Sequence, residues 1–356
     1  MDDRNAQVGW SEAQWNRVRE EVLRAWQSVR VAGSFLPEYG PLPRDTQVVP
    51  SEVFLDTGTI DERSVSPLLE ISLPVTLSRQ QLLEEDLASA LLLFRRRATQ
   101  VGQLEDWFIF NGTYDYEGKG FPDEVPPTVE VTAQLPQSSY RPNYRWLNEL
   151  IATGTSIPFR PPAPIAGRDV QLRGLRQRNP GALGLMGGSR DFVQTSLLGG
   201  SVWSFAPIAP SKLDGEGLIT GVVNAMSTLG GNGYVSSYVC IFGQQPFTQA
   251  HAPAAGSIAY PRDRLEPLVG RELLHASAID VRPASFDPYK PPTEANWRER
   301  ALLLSLTGGS IDLAMAAEAT PEFRYVDEQG RYVFAVFERF ALRIKDPMAI
   351  VPLRFS

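Results

Sequence analysis

Apolar residues recur at every third or fourth position between residues 11 and 30. Trp15, Val18, Val22, Ala25, Trp26 and Val29 form one stripe, and Asn16, Arg17, Arg19, Glu20, Arg24 and Gln27 take the opposite face. This is the period of an α-helix with one buried side. Ser11 supplies an N-cap, and Glu12 places negative charge in the first turn. Residues 31–76 lose that period and are interrupted by Pro37, Pro41, Pro43, Pro50, Pro67 and Pro74. Within them Val53-Phe54-Leu55 and Leu68-Leu69-Glu70-Ile71-Ser72-Leu73 read as strands joined by a turn around residues 56–63. A two-stranded excursion cannot bury itself, so it must lie on the rest of the domain or on a neighbouring subunit.

The strongest helical stripe runs over residues 78–110, through Leu83, Leu87, Leu91, Phe94, Ala98, Val101, Leu104 and Phe108. Ser78 and Gln81 form a capping box, Glu84, Glu85 and Asp86 load its first half with negative charge, and Asn111-Gly112 ends it. Read as one helix it is near 50 Å long, the length of a spine. Arg95, Arg96 and Arg97 read as a solvated or subunit-facing cluster. Residues 112–213 are the least regular, with a Pro-rich run from Pro158 to Pro164, a Gly-rich run from Gly181 to Gly188 and a short helix at 144–151. A helix is expected at 216–229, with Leu218, Val222, Ala225 and Leu229 on one face. A buried strand follows at 234–242, and then a short helix at 261–269. The remainder reads as β-structure. Strands at 302–306 and 311–316 flank Thr307-Gly308-Gly309-Ser310, and strands at 322–326 and 332–345 flank Asp327-Glu328-Gln329-Gly330. In the last strand Glu338 interrupts a face otherwise made by Tyr332, Phe334, Val336, Phe340, Leu342 and Ile344.

Composition narrows the class. The chain has 356 residues, 43% of them hydrophobic and 21% charged, which is ordinary for a globular protein. A net charge of −7 argues against a nucleic-acid surface as the main function. Cys240 is the single cysteine, so no intrachain disulfide forms. The Met-Asp-Asp start lacks the basic-then-apolar pattern of a signal peptide, and no apolar run approaches the roughly 20 residues of a membrane span. A cytoplasmic protein with no membrane partner is the expectation.

Candidate chemistry is sparse. His251 lies in a loop and His275 on an apolar segment, and neither has a second histidine or a cysteine at metal-ligand spacing. Both read as structural, although any histidine-dependent enzyme would have to use one of them. Cys240 reads as a buried, inert thiol. Gly181, Gly184 and Gly187 match no phosphate-binding fingerprint. Glu105-Asp106 could pair with arginines nearby. We expect no catalytic residue, no cofactor and no metal.

The order of elements carries a resemblance. Residues 15–30 with Glu38-Tyr39-Gly40-Pro41, the run Ile71-Ser72-Leu73-Pro74-Val75-Thr76-Leu77-Ser78 followed by Glu84-Glu85-Asp86, the helix end Leu104-Glu105-Asp106-Trp107-Phe108-Ile109-Phe110-Asn111-Gly112, and Phe337-Glu338-Arg339-Phe340-Ala341-Leu342-Arg343-Ile344 with Asp346-Pro347-Met348-Ala349-Ile350-Val351 resemble, in that order, segments of encapsulin shell proteins. The likeness is to the family 1-like, linocin/bacteriocin-type nanocompartment proteins and covers about residues 10–112 and 215–353. It implies an α+β chain with the tailed-phage major capsid (Hong Kong 97-type) fold, comprising a P-domain, an A-domain and an extended E-loop. On that template residues 1–50 are the N-terminal helix and arm, 51–76 the E-loop, 77–124 the spine, and 125–213 an insertion. Residues 214–230 are a P-domain helix, 231–300 the A-domain, and 301–356 the closing β-region. The implied function is a self-assembling cytoplasmic cage, on the order of 60 copies or a multiple of 60, with no enzymatic activity of its own. It encloses cargo enzymes, often ferritin-like or peroxidase, held by a targeting peptide. Trp15, Val18, Val22, Phe35 and Leu36 are the expected cargo groove. Phe54, Leu55, Leu68, Leu69 and Ile71 are the expected inter-subunit contacts. Family members usually carry an arginine and an aspartate just after the N-terminal helix, whereas Gly33 and Pro37 fall near those positions here. A phage or prophage major capsid protein, with the same fold around DNA, is the alternative.

Overall fold

A computed structural model describes residues 5–54, 60–111, 213–253, 259–279 and 299–355, with short strand segments at 131–132, 140–141, 158–159, 194–195, 202–203 and 282–283. Helix α1, Glu12–Gln27, begins at the predicted capping serine, and Gln14 returns a bond to the Ser11 backbone. Its stripe faces inward, with Trp15, Val18, Val22 and Trp26 fully buried.

The expected spine is two helices. Arg79–Leu82 (α2) keeps the Ser78–Gln81 capping box. The chain then breaks, Leu87 takes a positive φ of 54°, and Ala88–Asn111 (α3) runs on for about 36 Å. Leu83, expected in the buried stripe, lies in the break and is 72% exposed. The acidic residues do cap a helix, but the later one. Glu84 accepts from the Ser89 backbone N–H (2.8 Å) and from its hydroxyl (2.7 Å), and Asp86 accepts from the Ala88 N–H.

Two four-stranded sheets organise the rest. The first has the order β1 (Glu38–Tyr39), β8 (Ile311–Val326), β9 (Tyr332–Ile344), β4 (Leu69–Leu77), with β1 parallel to β8 and the other pairs antiparallel. Helices α1 and α3 cover it, and Phe94, Phe323, Phe334 and Trp10 form an aromatic cluster between the layers. The second has the order β6 (Leu274–His275), β5 (Tyr238–Phe242), β7 (Glu299–Ser305), β10 (Ile350–Phe355). It shares a second core with α4 (Gly215–Gly231) and α6 (Pro261–Val269), and α5 (Gln244–Ala250) follows β5 directly. Helix α4, expected with the spine, therefore packs with the second sheet. The closing β-region divides between the sheets, β8 and β9 in one and β7 and β10 in the other.

Among the described residues, strands β2 (Val48–Phe54) and β3 (Ile60–Pro67) pair only with each other. The excursion is thus the 48–67 hairpin rather than residues 51–76, because β4 has already rejoined the first sheet through the register Leu69↔Phe340 to Leu77↔Tyr332. At the hairpin base Val49 and Leu68 are buried on Ala314, Ala316 and Ala341.

Candidate functional site

The segments that carry the sequence resemblance converge on one buried junction. Arg30, just beyond α1, sends Nε to Glu105 Oε2 (2.6 Å) and Nη2 to Glu105 Oε1 (2.7 Å), a bidentate pair. The same guanidinium lies 3.8 Å from the centre of the Trp26 ring and 3.4 Å from Glu38 on β1. Gly33 leaves room for it, since a Cβ there would stand 2.5 Å from Arg30 Cζ. Next in sequence, Asp106 accepts the backbone N–H groups of Val31 and Ala32, both at 2.8 Å. Opposite, Glu338 of β9 accepts the indole N–H of Trp26 through Oε2, while its Oε1 is buried without a partner. Three fully or nearly fully buried carboxylates therefore face one guanidinium.

Burial and the neighbouring Glu105 carboxylate raise Glu338 well above the usual range, against the pull of Arg30. Burial and Glu105 push the Asp106 carboxyl up to about 8, against the two backbone N–H groups. Burial also raises Glu105, with Arg30 pulling it back down.

A second ionic cluster pins the hairpin. Arg343 pairs with Asp312 through Nε (2.5 Å) and Nη2 (2.6 Å), donates Nη1 to the carbonyl of Pro50 (2.9 Å), and stacks 3.8 Å from the Tyr39 ring. Lys345 sits 3.2 Å from Asp312 and 3.9 Å from Glu52. On the neighbouring strand position Arg339 holds Glu70 and donates to the carbonyl of Arg44.

The five expected groove residues form no groove. Trp15, Val18 and Val22 are fully buried, and Phe35 (7%) and Leu36 (4%) nearly so, all within the main core. The period reported a buried face correctly, and what covers it is α3 and the first sheet. Of the expected inter-subunit contacts, Leu68, Leu69 and Ile71 are likewise buried within their own chain. Phe54 ends β2, and Leu55 lies outside the described residues. Arg95 pairs with Glu21 of α1, and Arg97 donates to Gln100. Burial, and then the adjacent Arg96, lower the Arg97 guanidinium below its usual value.

Among the residues singled out for chemistry, His251 is half-buried with Nδ1 at 2.9 Å from the Phe247 carbonyl, and His275 lies against the same Phe247 ring. Cys240 is fully buried, and burial pushes its thiol up. Gly181, Gly184 and Gly187 lie outside the described residues. Among the described residues no three His, Cys, Asp or Glu side chains gather as a metal site would need, and no helix is long and apolar enough to cross a membrane.

No protein-family model and no curated protein matches the sequence. Solved structures do. A virus-like particle from Pyrococcus furiosus is similar with a TM-score of 0.55 and 11% identity, over 96% of this chain and 99% of that one. The capsid of a native GTA particle is similar with a TM-score of 0.50 and 13% identity, over 91% of this chain and 89% of that one. The capsid of an empty GTA particle gives 0.50 and 10%, over 92% and 90%. The chain has the tailed-phage major capsid (Hong Kong 97-type) fold.

Proposed function

We propose that the chain is a shell protein that assembles with copies of itself into a closed icosahedral cage of the encapsulin kind, enclosing cargo enzymes in the cytoplasm and catalysing nothing itself. The observation that carries the self-assembly is the 48–67 hairpin. It is a two-stranded sheet whose described ties to its own chain lie at the base, in Val49 and Leu68, in Arg343 on the Pro50 carbonyl and in Lys345 beside Glu52. Such an arm needs a second surface, and closed symmetry gives every arm the same one. The fold shared with a virus-like particle and with GTA capsids supports the same reading. The cargo-holding role rests on the sequence resemblance to encapsulins. Docking at Trp15, Val18, Val22, Phe35 and Leu36 is not part of this reading, because occupying them would require unpacking the core.

The test is microscopy and light scattering of the purified protein, followed by analysis of what the particles contain. Uniform hollow shells that co-purify with one dominant protein support the cage reading. Shells filled with DNA would convert it to a phage-type capsid, and a monomer would end both.

A further inference from the structure

The junction around Glu338 holds more acid than its surroundings neutralise. Around it stand Trp26 of α1, Arg30 and the Val31 and Ala32 N–H groups of the turn after α1, Glu38 of β1, and Glu105 and Asp106 of α3. Arg339, the next residue on β9, serves Glu70 and the Arg44 carbonyl instead. Arg30 is the one cation facing the cluster among the described residues, and both of its forked donors belong to Glu105. Asp106 has its two N–H donors. Glu338 has a single indole donor, with its other oxygen buried and unpartnered. A buried carboxylate left in that state is unstable as an anion and tolerable as a neutral acid.

We propose that this junction is a proton-controlled lock: with Glu338 neutral it clamps α1 and the following turn onto the spine and the closing strand, and loss of that proton at alkaline pH releases them. The clamp is made of bonds that all cross from the N-terminal segment to the rest of the fold, namely Trp26 to Glu338, Arg30 to Glu105, and Val31 and Ala32 to Asp106. Ionising Glu338 places a third negative charge against one positive charge in a dry site, and opening the segment to water is the available relief. The sign follows from linkage. Carboxyls whose folded values are raised bind protons more tightly in the folded chain, so their contribution is complete below the ordinary carboxylate range. It is lost as pH rises through the folded values, of which that of Asp106 is about 8.

The lock requires no assembly and is tested on the full chain by hydrogen exchange at about pH 6 and about pH 9, corrected for intrinsic rates. Peptides covering 12–36 are compared with peptides from β5 and β7 in the second core. The expected result is that protection of 12–36 falls by up to about tenfold per pH unit for each linked proton, while β5 and β7 hold. In Glu338→Gln, which keeps the shape and the acceptor for Trp26 but cannot ionise, that decline shrinks by one proton's worth. Equal protection of 12–36 at both pH values in the unaltered protein overturns the proposal, as does a Glu338→Gln profile identical to it. If Glu338→Gln fails to fold, Asp106→Asn takes its place: a decline of 12–36 that persists without the Asp106 carboxyl supports the proposal, and a decline that disappears overturns it.

Discussion

At the scale of single residues, two buried ionic clusters join segments far apart in sequence, and breaking either leaves a buried charge without its partner. Replacing Arg343 with Ala leaves Asp312 buried beside Lys345 alone and frees the Pro50 carbonyl. The expected loss is about 3 kcal/mol, read from the denaturant midpoint. Arg343→Lys restores little of it, because a lysine cannot make the bidentate pair or stack on Tyr39. Part of this was legible beforehand. Glu105-Asp106 stood out on the spine as a pair seeking arginines, and Glu338 stood out as a charge on an apolar strand face. What was not legible is that they meet. Arg30 and Glu105 are separated by 75 positions, and Trp26 and Glu338 by 312, and no local period reports such contacts. Gly33 was noticed as a departure from the family pattern. Its role, making space for the Arg30 guanidinium, is visible only in three dimensions.

Between elements, the docking of α1 on α3 is the contact that buries the first helix. Gly102 lies where they cross, and a Cβ there would stand 2.8 Å from Val29 Cγ2 and 3.1 Å from the Trp26 carbonyl. Gly102→Ala therefore forces the helices apart, and a loss of about 1–3 kcal/mol is expected in thermal or denaturant unfolding. Val22→Asp places a charge at a fully buried position, and loss of soluble folded protein is the expected outcome, read from the yield of soluble protein and its circular dichroism. Periodicity located α1, α3, α4 and β9 well, because each carries a long one-sided stripe. It missed the break at 83–87, where the stripe continues in sequence while the backbone turns. It also placed Leu68, Leu69 and Ile71 in the arm. An alternating strand shows that one face is buried, and β4 buries that face in its own sheet.

Over the whole molecule, the order of elements revealed the fold before any sequence match could, since neither a family model nor a curated relative matches. The fold keeps its topology while the sequence diverges, which the 11% identity to the Pyrococcus furiosus particle illustrates. Among the described residues the arm is tied to its own chain at its base, through Val49, the Pro50 carbonyl, Glu52 and Leu68. Replacing residues 53–61 with a short turn spares those base contacts, and should leave the melting curve of the isolated subunit nearly unchanged and abolish particles in light scattering. Normal particles from that variant would show that the hairpin is dispensable. The central claim is tested most directly by negative-stain microscopy of the purified, unaltered protein, with its mass from light scattering. A subunit of 39.4 kDa in the smallest icosahedral shell predicts uniform hollow particles of roughly 2.4 MDa or a multiple. A monodisperse monomer or small oligomer at the same concentration would contradict the account.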